Sequence, residues 1–362
     1  MIGIRADANG VIASGHMMRC ITIARALVEF DESVTFFMAD EESNRLFCAN
    51  TAEDHFDAVV LNSDYQDMEG ELEKLKHEIK RREISVLLVD SYAVTYNYFD
   101  SLREECRLIY LDDLFKESYP VDAVINYSGY SKNMGYEDGY KLMSGHDNKP
   151  TRLYLGLKYA PLRKQYYDTI IDSDIERSFE GKEGLHILVS TGGADVCDML
   201  SPLLEMAISV KWPVQTIWHI VIGGLTSGYD KVAEVAKNHD NVVIHRAVSN
   251  MAYLMKKCDL AVMSAGTMLT ECAACGLPTV FYQVADNQKY NVKYWGSVDG
   301  MSFAGDVSAN APGKTAIIAT IKNNIATYLE NVESLALKSE KLKMITDGRG
   351  ALEIAKVLVG EK

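Results

Sequence analysis

The chain lacks any apolar run approaching the ~20 residues that a membrane-crossing helix needs, so no stable membrane insertion is expected. It also lacks positive charge: 37 Lys and Arg stand against 51 Asp and Glu, for a formal net charge of −14. Nucleic acid or an anionic lipid surface would be repelled at long range, which excludes a large nucleic-acid footprint and leaves only a local basic pocket. Seven cysteines, an odd number scattered through apolar surroundings such as Cys20, Cys106 and Cys258, imply reduced thiols and no disulfide framework. Cys272 and Cys275 have metal-ligand spacing, but no second Cys or His pair stands near them, and TECAACG reads as a helix. A structural zinc site takes four ligands, so no metal is expected. The opening MIGIRADANG has neither the basic start nor the apolar stretch of a leader and reads as a strand, so the expected location is cytoplasmic.

What is present is ordinary globular composition, 48% hydrophobic and 24% charged, in a chain of 362 residues. At about 100–200 residues per domain, that length suggests two domains. In the first half, short apolar runs (IGIRA, SVTFFMA, ISVLLVD, RLIYLDD) alternate with helical patterns at 16–30, 69–82 and 98–106. A second alternating series runs through LHILVS, TIWHIVIGG, NVVIHRA, DLAVMSAG and PTVFYQVA. Strand–helix alternation is the mark of βαβ units and a parallel sheet. The expected fold is therefore α/β, with two doubly wound, Rossmann-like domains facing each other across a cleft. The boundaries fall at 1–171 and 182–345, with a hinge near Asp172 to Gly181 and a final helix, 346–362, that packs back on the first domain.

Open α/β sheets bind ligands at the carboxyl ends of their strands, so the strand exits hold the candidate residues. Arg5 and Asp7 close the first strand, and Gly15, His16 and Arg19 open the first helix. Gly15 lets a ligand approach the backbone, and a helix start carries unsatisfied N–H groups. His16 either caps or packs that helix or works at the cleft floor; the convergence of Arg5, Asp7 and Arg19 on the same strand end favours the second reading. Asp90 and Tyr92, and the adjacent Asp112 and Asp113, end two further strands.

In the second half, the turns carrying Gly192 and Gly193, and Ser264, Gly266 and Thr267, could cradle a diphosphate on backbone N–H groups; small residues are also common there for steric reasons alone. Neither turn is a dinucleotide fingerprint or a Walker loop, so no NAD, ATP or other cofactor is expected. Glu271, one turn further, suits a ribose diol or is an exposed helix carboxylate. Asn287 and Gln288 follow a strand and could orient a sugar; Asn287 could equally cap a helix.

The run IRADANGVIASGHMMRCITIARAL resembles the N-terminal signature of the UDP-sugar hydrolase family of pseudaminic acid biosynthesis. YLGLKYAPLR, STGGAD, NMAYLMKKCDLAVMSAGTMLTECAACGLPTV and ADNQ are similar to its later motifs, in the same order. Spore-coat polysaccharide proteins share these motifs. The resemblance implies a glycosyltransferase-B-like fold and metal-independent release of UDP from a 2,4-diacetamido-2,4,6-trideoxy sugar at its anomeric carbon. It places the catalytic histidine on His16 and the active-site tyrosine and asparagine on Tyr92 and Asn287. Arg5, Asp7, Gly15, Arg19 and Gln288 would then meet substrate, and Gly192, Gly193, Ser264, Gly266, Thr267 and Glu271 would meet UDP. Two alternatives are a glycosyltransferase of the same fold, with an acceptor hydroxyl in place of water, and a non-catalytic nucleotide-sugar-binding protein.

Overall fold

The computed structural model describes residues 1–10, 12, 14–171, 184–223, 226, 229–246, 248–308 and 313–360; the hinge expected at 172–181 lies outside them. The chain groups into two compact units, one formed by Met1–Arg163 together with Arg349–Lys362, the other by Lys164–Gly348.

The first unit is built on β1 (Ile2–Ala6), β2 (Val34–Met38), β3 (Asp57–Val60), β4 (Val86–Asp90), β5 (Arg107–Leu111), β6 (Ala123–Asn126) and β7 (Arg152–Leu155). The order across the sheet is β3-β2-β1-β4-β5-β6-β7, and every adjacent pair is parallel. β1, β2 and β4 are buried at every residue, which is why their sequences are nearly continuous apolar runs: helices cover both faces of a parallel sheet. One face packs Ile4, Phe36 and Leu88 against the helix Gly15–Val28 and the final helix Gly350–Val359. The other packs Phe37, Leu87 and Val89 against Leu75, Ile79 and Phe99. The final helix sits close because Gly350 has no side chain; a Cβ there would lie 2.1 Å from the Ala160 carbonyl oxygen.

The second unit repeats the plan with β8 (Leu185–Ser190), β9 (Thr216–Ile222), β10 (Val242–Arg246), β11 (Leu260–Ser264), β12 (Thr279–Gln283) and β13 (Met301–Asp306). Its order is β10-β9-β8-β11-β12-β13, again all parallel. Ile187, Val189, Trp218 and Ile220 pack on Leu203 and Leu204 of the helix Leu200–Ser209 and on Ile317, Ile321 and Ile325 of the helix Lys314–Glu330. No helix among the described residues is long and apolar enough to cross a membrane.

Both sheets reverse their winding once. In the first, the chain goes outward from β1 to β2 and β3, then returns to lay β4 on the other side of β1. In the second, β8 and β11 are the corresponding neighbours. Loops leaving such a pair diverge to opposite faces and open a crevice at the strand ends.

Candidate functional site

The crevice of the first unit lies at the ends of β1 and β4, and Asp7, His16, Asp90 and Tyr92 meet there with Tyr65 and Gln66 around a pocket of about 200 Å³. His16 stands on the first turn of its helix, where Ser14 is the N-cap, so it is not the cap. Its Nδ1 lies 2.6 Å from Asp90 Oδ1. Arg19, one turn along the same helix, donates from Nε to Asp90 Oδ2 at 2.5 Å and from its NH2 nitrogen to Oδ1. Burial pushes the Asp90 carboxyl up, but Arg19, and after it His16, outweigh that and hold it well below the usual carboxylate range. An ionised carboxylate can only accept, so the ring donates from Nδ1, and in the neutral ring the lone pair is on Nε2. That is the form of a histidine able to take a proton.

Tyr92 meets the His16 ring edge-on, with centroids 4.6 Å apart. Burial, and then the charge of Asp113, push its phenol above the ordinary tyrosine range, so it stays a hydroxyl and a donor. Lys116 Nζ lies over the Tyr92 ring, 5.5 Å from its centre. Gly15 is exposed, with nothing within 4 Å of where a Cβ would stand.

Arg5 does not reach this pocket. It points to the opposite face of the sheet and is fully buried. Its Nε and NH2 grip the two Glu71 oxygens at 2.7 and 2.8 Å, and its NH1 meets Asp7. Tyr98 and Ser63 also donate to Glu71, each at 2.9 Å, while Asp7 accepts from the Ala39 amide at 2.7 Å. The expected substrate contact at Arg5 gives way to a buried frame that orients Asp7. Tyr65 and Gln66, joined by a 2.8 Å hydrogen bond, line the pocket although nothing in the sequence marks them; they sit on a polar loop after the four-residue strand β3.

In the second unit, the exits of β8, β11 and β12 are neighbours. Gly192 has φ +88°, and a Cβ on Gly223 would fall 2.4 Å from its carbonyl oxygen, so these two turns pack backbone to backbone. Ser264 Oγ approaches to 3.6 Å from the position of a Gly192 Cβ. The Gly266 amide donates to the Ser264 carbonyl at 2.8 Å, Thr267 precedes the helix Met268–Ala274, and Glu271 is in its first turn. The helix after Gly193 does not begin until Leu200, and the Asp195 carboxylate already accepts from the amides of Met199 and Leu200 at 2.9 and 3.0 Å. Those N–H groups therefore serve a protein carboxylate.

Asn287 is exposed in the turn Asp286–Gln288, whose cap is Ala285. The Gln288 side-chain oxygen accepts from Val284 at 2.9 Å, which turns it toward its own loop. Asn291 donates to the Ala265 carbonyl at 3.1 Å and so joins the β11 and β12 exits. Cys272 and Cys275 are buried, against Met263 and the Ala252 carbonyl respectively.

Residues 219–332 match a family described as "Protein of unknown function (DUF354)". An uncharacterized protein of Methanocaldococcus jannaschii is 25% identical over 287 residues, 77% of this chain and 54% of that one, so the match spans about half of that relative's length. The spore coat polysaccharide biosynthesis protein SpsG of Bacillus subtilis is 22% identical over 99% of this chain and 97% of its own. The UDP-2,4-diacetamido-2,4,6-trideoxy-beta-L-altropyranose hydrolase of Campylobacter jejuni is 21% identical over 74% of this chain and 85% of its own. Among solved structures, MurG of Acinetobacter baumannii superposes with a TM-score of 0.65 at 14% identity, covering 99% of each chain. Anabaena HepE, in complex with UDP and glucose, gives 0.54 at 14% identity, covering 99% of this chain and 100% of that one. The chain thus resembles the hydrolase and SpsG in sequence, and its two parallel α/β units have the glycosyltransferase-B fold.

Proposed function

We propose that this protein hydrolyses a UDP-linked 2,4-diacetamido-2,4,6-trideoxy sugar at its anomeric carbon. The observation that carries this reading is the His16–Asp90 pair at the winding reversal of the first sheet, with Nε2 of His16 left as a base. In the proposed step, water attacks C1, its proton passes to His16, and the C1–O bond to the β-phosphate breaks with its electron pair leaving on UDP. Tyr92 and Asn287 are assigned to orient the sugar. The β8 and β11 turns, with Gly192, Gly193, Ser264, Gly266 and Thr267, are assigned to the diphosphate, and Glu271 to the ribose diol. The name of the Campylobacter relative and the UDP complex of the Anabaena protein support this nucleotide.

The second reading is transfer to an acceptor hydroxyl instead of water, favoured by the full-length superposition on MurG. One experiment separates the two: incubate the protein with a panel of UDP-sugars and follow UDP release with and without acceptors. Release without acceptor is the result expected for a hydrolase. Release only with an acceptor makes the protein a transferase, and binding without release under either condition makes it a nucleotide-sugar-binding protein.

A further inference from the structure

Four of the five Arg19 N–H donors are taken by protein acceptors. Besides Asp90, its NH1 nitrogen donates to Asp113 Oδ2 at 2.8 Å and to the Tyr127 hydroxyl at 2.5 Å. Its guanidinium lies over the Tyr127 ring, 5.5 Å from the centre, and only 12% of the side chain is exposed. Its NH2 nitrogen also stands 2.9 Å from His16 Nδ1. Two opposite protonation patterns are open to that nitrogen. If Nδ1 accepted from Arg19, the proton would move to Nε2, and a lone pair would face a carboxylate at 2.6 Å. Two acceptors at that distance repel, so the pattern in which Nδ1 donates to Asp90 prevails for as long as Asp90 is ionised.

The geometry assigns Arg19 a positioning role: it holds Asp90 as a fixed, acceptor-only carboxylate, and through Asp90 it sets the tautomer of His16 that keeps the lone pair on Nε2. Asp113 and Tyr127 in turn hold Arg19. This inference rests on His16 being the base of the proposed reaction. It departs from the expectation that Arg19 meets substrate.

Removing the guanidinium leaves Asp90 with His16 and the Cys20 thiol and removes a cation beside the ring, so the protonated ring becomes more favourable. Removing Asp113 has the opposite sign, because Arg19 then acts on His16 with its charge less compensated. Among the described residues the other polar groups at the pocket are Asp7, Tyr65, Gln66, Ser91 and Tyr92, with Lys116 above Tyr92 and the Cys20 thiol on Asp90; neither change replaces any of them, and Asp113→Asn also removes the charge beside the Tyr92 phenol.

The test is a titration of the His16 ring, read by its two ring nitrogens in ¹⁵N NMR, in the parent protein and in Arg19→Gln, Arg19→Lys and Asp113→Asn. The expected result is an Nδ1-protonated ring in the parent and a midpoint moved up by about one pH unit in Arg19→Gln, within the range for a nearby charge. Arg19→Lys should lie close to the parent, and Asp113→Asn should move down. Unmoved midpoints, or shifts of the same sign in Arg19→Gln and Asp113→Asn, overturn the proposal. If Arg19→Gln does not fold, the lysine and Asp113 variants decide it.

Turnover of a UDP-sugar supplies the second readout. The acid limb of kcat/KM should follow the NMR midpoint while KM stays within about twofold; a raised KM with an unmoved limb makes Arg19 a substrate contact. If the parent turns over no UDP-sugar, the hydrolase reading fails, and the titration still tests Arg19.

Discussion

His16 and Asp90 are 74 residues apart in the chain and 2.6 Å apart in the fold, joined because β4 lies against β1 and not against β3. The carboxylate both selects the ring tautomer and would stabilise the imidazolium that forms when water is deprotonated. Asp90→Asn keeps the shape but offers a neutral amide, whose NH2 can donate to Nδ1 and transfer the proton to Nε2. UDP release should then fall by about 10²–10⁴-fold, the usual weight of a positioned general base, with UDP affinity retained. Equal rates in the parent and the variant would remove Asp90 from the mechanism.

Glu71 provides a contrasting test, of the frame alone. It takes both arms of the buried Arg5 fork and the hydroxyls of Tyr98 and Ser63. Glu71→Ala leaves a guanidinium with 0% exposure facing only Asp7. Breaking a buried pair from one side costs about 3–5 kcal/mol, and urea unfolding should show a loss of that order. A loss below about 1 kcal/mol, the scale of a surface pair, would mean that water or a rearranged Asp7 takes over from Glu71.

The inner strands other than β6 were legible because burial on both faces leaves unbroken apolar runs, as in β4 and β11; β6, although buried throughout, was not, because it has only four residues. The short edge strands β3 and β7 were not: each has four residues and half-exposed or exposed positions, so no run stands out. The strand ends holding His16, Asp90 and Tyr92 could be read as chemistry. Their pairing could not, since it depends on the order of the strands and that order leaves no mark in local sequence. Arg5 misled for a related reason. A charged residue at a strand end suggests a ligand, but its neighbour on the far face is Glu71, 66 residues away.

A row of histidines in the second unit makes stability depend on pH. His186 Nδ1 is 2.8 Å from His219 Nε2, and His219 Nδ1 is 2.9 Å from His245 Nε2, across β8, β9 and β10. Burial first, then the charges of His186 and His245, push His219 down to about 4. An unfolded histidine takes its proton near pH 6.5. Between those values the unfolded chain binds a proton that the folded chain refuses, so the stability present above pH ~6.5 is lost as the pH falls toward 4. Unfolding midpoints measured at several pH values in this window should decline in the parent and stay flatter in His219→Gln. Parallel curves would show that His219 does not control the decline.

The fate of the solvent oxygen reveals which bond breaks. A base at His16 delivers water to the sugar carbon, so the oxygen from solvent must end on the sugar. Run in ¹⁸O-labelled water, the reaction should label the released sugar at C1 and leave UDP unlabelled. Label in UDP would mean attack at phosphorus, and the enzyme would be a pyrophosphatase. His16→Asn separates base from binding: the amide fills part of the ring's volume and cannot take the proton, so turnover should drop about 10²–10⁴-fold while UDP affinity persists. The same label position in the slow residual reaction would show that the route is unchanged and only its base is missing. Normal turnover in His16→Asn would take the proton acceptor away from His16 and leave Asp7, on the same pocket wall, as the next carboxylate to test.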